Sequence, residues 1–201
     1  PQYTVRRTVR RAQNLCITCL EINTLDDVST FFRLHCHGRK SKYRLLAQPF
    51  SFFENIHANF APSDSISVLL AELDGIPIAG ILFLISGNPL YYQFNASTDL
   101  EFRPNDLLVW AGILMGRRRG LARLDFGLSN LEQPGLIAFK RKFASEERSI
   151  TQLQWAPPDY EDTCGQATGK VLGNLTKILT EPDVPDSVAR ASSDLLYKFF
   201  G

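Results

Sequence analysis

A mixed α+β fold, with a largely antiparallel sheet flanked by helices, is the class this sequence predicts, and three observations predict it. Ile66 to Asp74 alternates and is rich in Val, Ile and Leu, Asp74-Gly75 supplies type I′ turn chemistry, and Ile76 to Ile85 runs back as its partner. Gly87-Asn88-Pro89 then turns the chain into a third strand, Leu90 to Asn95, which makes a meander. Beyond it the order becomes helix, strand, helix, strand, which is not the regular alternation of a doubly wound sheet. The 201 residues, 44% hydrophobic and 21% charged, supply enough apolar side chains for one sizeable core. This composition excludes disorder, collagen and a small disulfide scaffold.

The elements follow in order. Residues 3 to 13, with Arg6, Arg7, Arg10 and Arg11, read as a basic helical arm with a solvated face, leading into a short strand from Leu15 to Leu20. Asp26 and Asp27 open a helix in which Leu25, Val28, Phe31, Phe32 and Leu34 recur at helical spacing, and Gly38 is expected to close it. Pro49 opens a second helix, with Phe50, Phe53, Ile56, His57 and Phe60 on one face and Pro62 as its stop. After the meander come a helix from Asn105 to Met115 with Gly116 behind it, a strand from Leu121 to Phe126, and a helix from Pro134 to Phe143 ending in Lys140, Arg141 and Lys142. Ile150 to Trp155 reads as a last strand. Thr168 to Leu179 and Asp186 to Phe200 read as two further helices. The domain organisation expected is an N-terminal arm and edge strand over 1–24, the α+β domain over 25–157 and a helical extension over 158–201.

Lys plus Arg exceed Asp plus Glu by 22 − 21 = +1, so the chain carries no broad electrostatic footprint for nucleic acid or an anionic membrane. The longest apolar run, Ile76 to Ile85, contains Pro77 and falls short of the roughly 20 residues a spanning helix needs. The chain begins with Pro1 and its only methionine is Met115, so a segment upstream is expected to be missing. No secretory pattern stands near the N-terminus, and four cysteines are too sparse for a disulfide framework; the expectation is a cytoplasmic, reduced protein.

Several constellations bear on chemistry. Cys16, Cys19, His35, Cys36 and His37 are zinc-type ligands. On a strand, however, residues three apart point to opposite faces, so no metal site is expected. No nucleophile elbow is present, and His57 shares the phase of an apolar face, as a satisfied core histidine does. Arg117 to Ala122 fits R-x-x-G-x-A, the pattern by which GNAT N-acetyltransferases cradle the pyrophosphate of acetyl-CoA, which makes Arg117 and Gly120 candidate cofactor-binding residues. Here the pattern follows a helix and opens a strand, so the amides would face the wrong way. The strand-to-helix position is held instead by Asn95 to Asp99, running to Pro104-Asn105-Asp106. Tyr92, Asn95, Ser97 and Trp110 flank that loop as candidate substrate-binding residues.

Five segments, Leu73 to Gly80, Tyr91 to Ser97, Pro104 to Trp110, Leu124 to Gly127 and Gly135 to Phe143, follow one another at the spacing seen in Fem-type acyltransferases of the GNAT superfamily. Over roughly residues 25 to 155 the chain resembles the C-terminal lobe of that family. The resemblance implies transfer of an acyl or aminoacyl group to an amine, with acyl-CoA (acetyl-CoA) or aminoacyl-tRNA as donor and no metal. It implies a small-molecule or envelope-precursor acceptor, a second GNAT-like lobe on the N-terminal side, and contact with nucleic acid only where the donor is charged tRNA. It matches Phe139-Lys140 to the family's Phe-Lys pair, whose lysine lies at the charged end of the acyl donor and stabilises a developing oxyanion. Asp125 matches the Asp-Phe-Gly strand end in an orienting role. The rival expectation is a non-catalytic GNAT-like lobe that binds a glycan, peptide or partner protein.

Overall fold

A computed structural model describes residues 3–14, 17–98, 103–153, 155–157 and 163–199. Helix α1 (Tyr3–Asn14) buries Val5, Val9 and Ala12 and leaves Arg6, Arg7, Arg10 and Arg11 exposed. The next strand, β1 (Thr18–Ile22), begins later than the sequence reading places it, and Leu15 and Cys16 lie outside the described residues. Helix α2 (Leu25–Tyr43) starts in a capping box. Thr24 Oγ1 accepts from the Asp27 N–H at 3.3 Å while the Thr24 N–H donates to Asp27 Oδ2 at 2.8 Å. Gly38 does not close this helix. It is buried within it, where an added Cβ would make ordinary contact at 3.7 Å with the Ser97 carbonyl; the helix ends at Arg44, in left-handed backbone at φ 55°.

Helix α3 (Phe50–Phe60) follows Pro49 as expected and runs into a 3₁₀ turn, Ala61–Ser63. The hairpin β2 (Ile66–Leu73) and β3 (Ile76–Ile85) turns at Asp74 and Gly75, both at positive φ as a type I′ turn requires. Strand β4 (Pro89–Ser97) completes the meander. Helix α4 (Pro104–Arg118) runs past Gly116, which packs on Leu90, and β5 (Arg123–Asp125) follows it. Helices α5 (Pro134–Arg141), α6 (Thr163–Leu179) and α7 (Asp186–Leu196) complete the order, with a 3₁₀ turn at Tyr197–Phe199.

The sheet order is β1-β2-β3-β4-β5, antiparallel except for the parallel pair β4/β5. Its two faces carry separate apolar clusters. One packs α1 and α4 over Leu69, Ile81, Phe83 and Leu90; the other packs α2 and α3 over Ile66, Val68, Leu70 and Leu82. His35 lies in the second cluster among Phe31, Phe53 and Phe94 and donates to Gln48 Oε1 at 2.7 Å. Burial pushes its pKa down to about 4, which keeps it neutral. His57 donates to the Asn23 carbonyl at 2.9 Å.

The strand expected from Ile150 to Trp155 does not form among the described residues, and Gln154 lies outside them. Ile150, Leu153 and Trp155 are exposed. A β-rich segment needs an edge to pair with, and the edge strand β5 offers only three residues.

The seat of α4 generates a prediction. A Cβ at Gly112 would stand 2.5 Å from Phe83 Cζ, and the Phe83 ring is fully buried. Gly112→Ala is expected to lower stability by about 1–3 kcal/mol, the usual cost of overpacking, read as a lower urea midpoint at unchanged m value. An unchanged midpoint would mean that α4 does not press on β3 there.

Candidate functional site

The parallel strands pair at only three positions, Pro89↔Arg123, Leu90↔Leu124 and Tyr91↔Asp125. Strand β4 then runs on to Ser97, while β5 stops at Asp125 and the chain turns away at Gly127, φ 63°. A wedge therefore opens between the carboxyl ends of the two strands. A bulge in β4 determines what lines it. Leu82 pairs with Phe94 but Phe83 pairs with Tyr92, so Gln93 is the extra residue. Phe94 consequently faces α2 and α3, while Tyr92 packs under Phe83 on the α4 face with ring centroids 6.1 Å apart. Asn95 and Ser97, opposite Ile81 and Ala79, return to that same face.

A closed circuit of contacts surrounds the wedge. Tyr92 meets Phe126, just beyond β5, at 5.6 Å; Phe126 meets Phe143 at 6.3 Å; and Phe143 meets Phe139 of α5 at 5.7 Å. The Lys142 ammonium lies 5.1 Å over the Phe139 ring and pairs with Asp106 Oδ1 of α4 at 3.4 Å. Asn105, the neighbour of Asp106, donates to Ser97 Oγ at 3.4 Å, which returns the circuit to β4. Of the residues predicted from sequence, Tyr92, Asn95, Ser97 and Phe139 belong to this rim. Trp110, one turn beyond Asp106 on α4, packs against the same apolar cluster as Tyr92 and Phe139 but makes none of the contacts of the circuit.

Lys140 reaches back across the mouth of the wedge and donates to the carbonyls of Leu128 at 2.8 Å and Gly127 at 3.3 Å. The turn that presents those carbonyls is tied by Asp125, whose Oδ1 accepts from the Gly127 N–H at 2.8 Å. Burial holds the Lys140 pKa below the ordinary lysine value, and the Asp125 carboxylate opposes that shift. Burial pushes the Tyr92 hydroxyl pKa well above the usual tyrosine range, with the Asn95 side chain offsetting part of the shift, so the group stays a neutral hydroxyl. A half-buried ammonium at the open end of parallel strands is a group that can face a carbonyl oxygen as negative charge develops on it.

Arg117 and Gly120 do not join the site. They lie at the other end of α4, beside the start of β5, and every amide of their turn that could cradle a phosphate is engaged. The Gly120 N–H donates to Arg117 O at 3.1 Å, Leu121 to Gly116 O at 2.9 Å, and Ala122 to Asn88 Oδ1 at 2.6 Å. This turn is a helix C-terminus and not a pyrophosphate loop. The residues that sequence reasoning missed are Asp106, Lys142, Phe126 and Phe143. Asp106 is 2% exposed in the first turn of α4, with Oδ2 and the neighbouring Asn105 Oδ1 unpartnered among the described residues. The sequence places Asp106 at the end of the strand-to-helix segment but gives it no role of its own, because the macrodipole favours an acidic residue in the first turn of any helix. Asp99 lies outside the described residues.

The layered sheet with its wedge is the architecture of a GNAT N-acyltransferase domain. The chain belongs to the acetyltransferase (GNAT) domain family, which matches residues 2–141 and so takes in α1 and β1 ahead of the stretch that the sequence resemblance covers. It is 32% identical over 91 residues to the lipid II:glycine glycyltransferase of two Staphylococcus epidermidis strains, a match that takes in 41% of this chain and 22% of the relative. FemX superimposes with a TM-score of 0.61 at 19% identity, over 69% of this chain and 52% of FemX. An aminoglycoside acetyltransferase from an uncultured soil metagenomic sample, in complex with sisomicin, superimposes at 0.52 and 13% identity, over 70% and 96% of the two chains. AAC(6′)-Iy, bound to the bisubstrate analogue CoA-S-monomethyl-acetylneamine, does so at 0.53 and 13% identity, over 70% and 99%. The chain thus spans about half of FemX and less than a quarter of the curated relatives it matches.

The Lys140 environment makes a prediction. Asp125→Asn keeps an oxygen for the Gly127 N–H but removes the charge that opposes burial, so the Lys140 titration, followed by 13Cε shift, should move to lower pH than in the wild type, itself below free lysine. A midpoint that stays put or rises would show that Asp125 does not act on Lys140.

Proposed function

We propose that this chain is the acyl-transferring lobe of a Fem-like enzyme that moves an aminoacyl group, carried as an ester on charged tRNA, to an amine of a cell-envelope precursor. One observation carries the choice of donor: the first turn of α4 already holds an anion. The buried Asp106 carboxylate, paired with Lys142, occupies the helix terminus where a pyrophosphate would otherwise be drawn. The R-x-x-G-x-A turn, with its amides engaged, offers no substitute. Among the described residues, which leave out 99–102 of the β4–α4 loop, neither place offers the pyrophosphate of acetyl-CoA a cradle of free amides. The match to a lipid II:glycine glycyltransferase supports an aminoacyl donor and an envelope acceptor. With a net charge of +1, the chain would hold a tRNA only at its acceptor end.

In this reading the amine nitrogen attacks the ester carbonyl, the new C–N bond forms, the C–O bond to the ribose breaks, and the leaving hydroxyl carries off a proton shed by the amine. Lys140 faces the carbonyl oxygen and stabilises its negative charge. Asp125 keeps the 127–128 turn in place beneath that ammonium, and the rim from Tyr92 to Phe139 excludes water and orients the acyl group.

Calorimetry on the chain with glycyl-tRNA and with acetyl-CoA tests the donor. Glycyl-tRNA is expected to bind saturably and acetyl-CoA not at all. In a transfer assay on protein containing both lobes, Lys140→Met is expected to lower kcat by about 10²–10³, as loss of an oxyanion donor does. Acetyl-CoA binding weakened by Lys142→Met would overturn the donor assignment. Binding of neither donor would favour the non-catalytic lobe.

A further inference from the structure

Away from the wedge, α7 lies over the outer side of α2, fastened to the body of the domain at both of its ends. Ahead of it, Arg44 donates to the Thr180 carbonyl at 2.6 Å and pairs with Glu181 at 2.6 Å. At its first turn, Lys40 donates to the Val184 carbonyl at 2.5 Å and to Asp186 Oδ1 at 2.7 Å. Beyond its last turn, Tyr197 packs on Phe52 of α3 with centroids 6.2 Å apart. Between these fastenings a cleft of about 210 Å³ stays open.

The side chains of α7 leave that space by design of the sequence. The residues it turns inward are the small Ala189 and Ser193, both buried, whereas Val188 and Leu195 are exposed. A helix seated directly on α2 would bury its large apolar residues and expose the small ones. The floor of the cleft is apolar, from Leu46 and Ala47, and its rim is cationic. Among the described residues Arg33 donates to the hydroxyls of Ser29 and Thr30, and Arg190 forms no ion pair within 4 Å, though Asp186 lies near enough to feel its charge. His37 lines the cleft as well, from the α2 side. Lys40 is neutralised by Asp186, the one acidic residue of the lining. Two guanidiniums, neither in an ion pair among the described residues, and Lys40 thus share one carboxylate around a small apolar hollow, a net cationic arrangement suited to an anionic head group on an apolar body.

We propose that the α2–α7 cleft is a binding site for a small organic anion, a carboxylate or phosphate carried on a compact apolar body, distinct from the acyl-transfer wedge. Benzoate, phenyl phosphate and inorganic phosphate, titrated into the full chain and followed by calorimetry, test it and separate the two head groups. At least one of the two aromatic anions is expected to bind saturably and more tightly than inorganic phosphate, and the tighter of them identifies the head group. Arg33→Gln and Arg190→Gln should each weaken binding about tenfold, the scale of a charge-assisted hydrogen bond. Ala189→Leu should fill the cleft and abolish binding without lowering the urea midpoint, and Arg148→Gln, remote from the cleft, should change nothing. The proposal fails if neither aromatic anion binds saturably, if inorganic phosphate binds as tightly as phenyl phosphate, or if binding persists unweakened in Arg33→Gln and Arg190→Gln.

Discussion

The parallel pairing of β4 with β5 stops after three residues, and the site depends on that short ladder. Were the strands paired to their ends, the backbone groups of β4 from Tyr92 to Ser97 would be engaged by a neighbour and no space would remain for a substrate between them. Because β5 ends at Asp125 and the chain turns at Gly127, the rim must be supplied by other elements. It comes from α5 by way of Phe139, Lys142 and Phe143, and from α4 by way of Asn105 and Asp106. The bulge at Gln93 is part of the same solution. It moves Tyr92, Asn95 and Ser97 to the face where the wedge opens while Phe94 stays in the opposite core. The close seat of α4, made possible by Gly112 and Gly116, holds its first turn near the end of β4.

Electrostatics gives the two lysines of α5's end different tasks. Lys142 is committed to the buried Asp106 and fixes α5 against α4, whereas Lys140, two residues earlier, donates among the described residues to backbone carbonyls and feels the charge of Asp125 without an ion pair. A carbonyl-bound ammonium can transfer its hydrogen bonds to an incoming oxygen at little cost. One locked in a buried ion pair cannot, because its partner would be left charged and unpaired. The same Asp106 that anchors Lys142 stands at the positive end of the α4 dipole, so one carboxylate serves both the helix terminus and the join between α4 and the end of α5.

What was legible in the sequence was mostly local. The hairpin around Asp74-Gly75, the α3 face of Phe50, Phe53 and Phe60, and the acidic start of α2 are each written within a few residues and appear in the structure. The mixed α+β class and the GNAT domain followed from the order of such segments. The Asp106–Lys142 pair joins residues 36 apart in sequence, and the aromatic chain from Tyr92 to Phe139 joins three separate elements, so neither leaves a local pattern. The misreadings have a common cause. Gly38 has the residue type of a helix stop and Ile150 to Trp155 the pattern of a strand, yet α2, packed on the sheet, carries on through Gly38 to Tyr43 and the strand lacks a partner edge.

The central claim is that the wedge between β4 and β5 receives the acyl group. The most direct measurement is an NMR titration of the isotope-labelled chain with an aminoacyl-adenosine amide, a stable analogue of the aminoacyl end of charged tRNA. The account predicts saturable shifts concentrated at Tyr92, Phe126, Lys140 and Lys142. Shifts confined to the Arg117 to Ala122 turn or to the α2–α7 cleft, with the wedge silent, would contradict it.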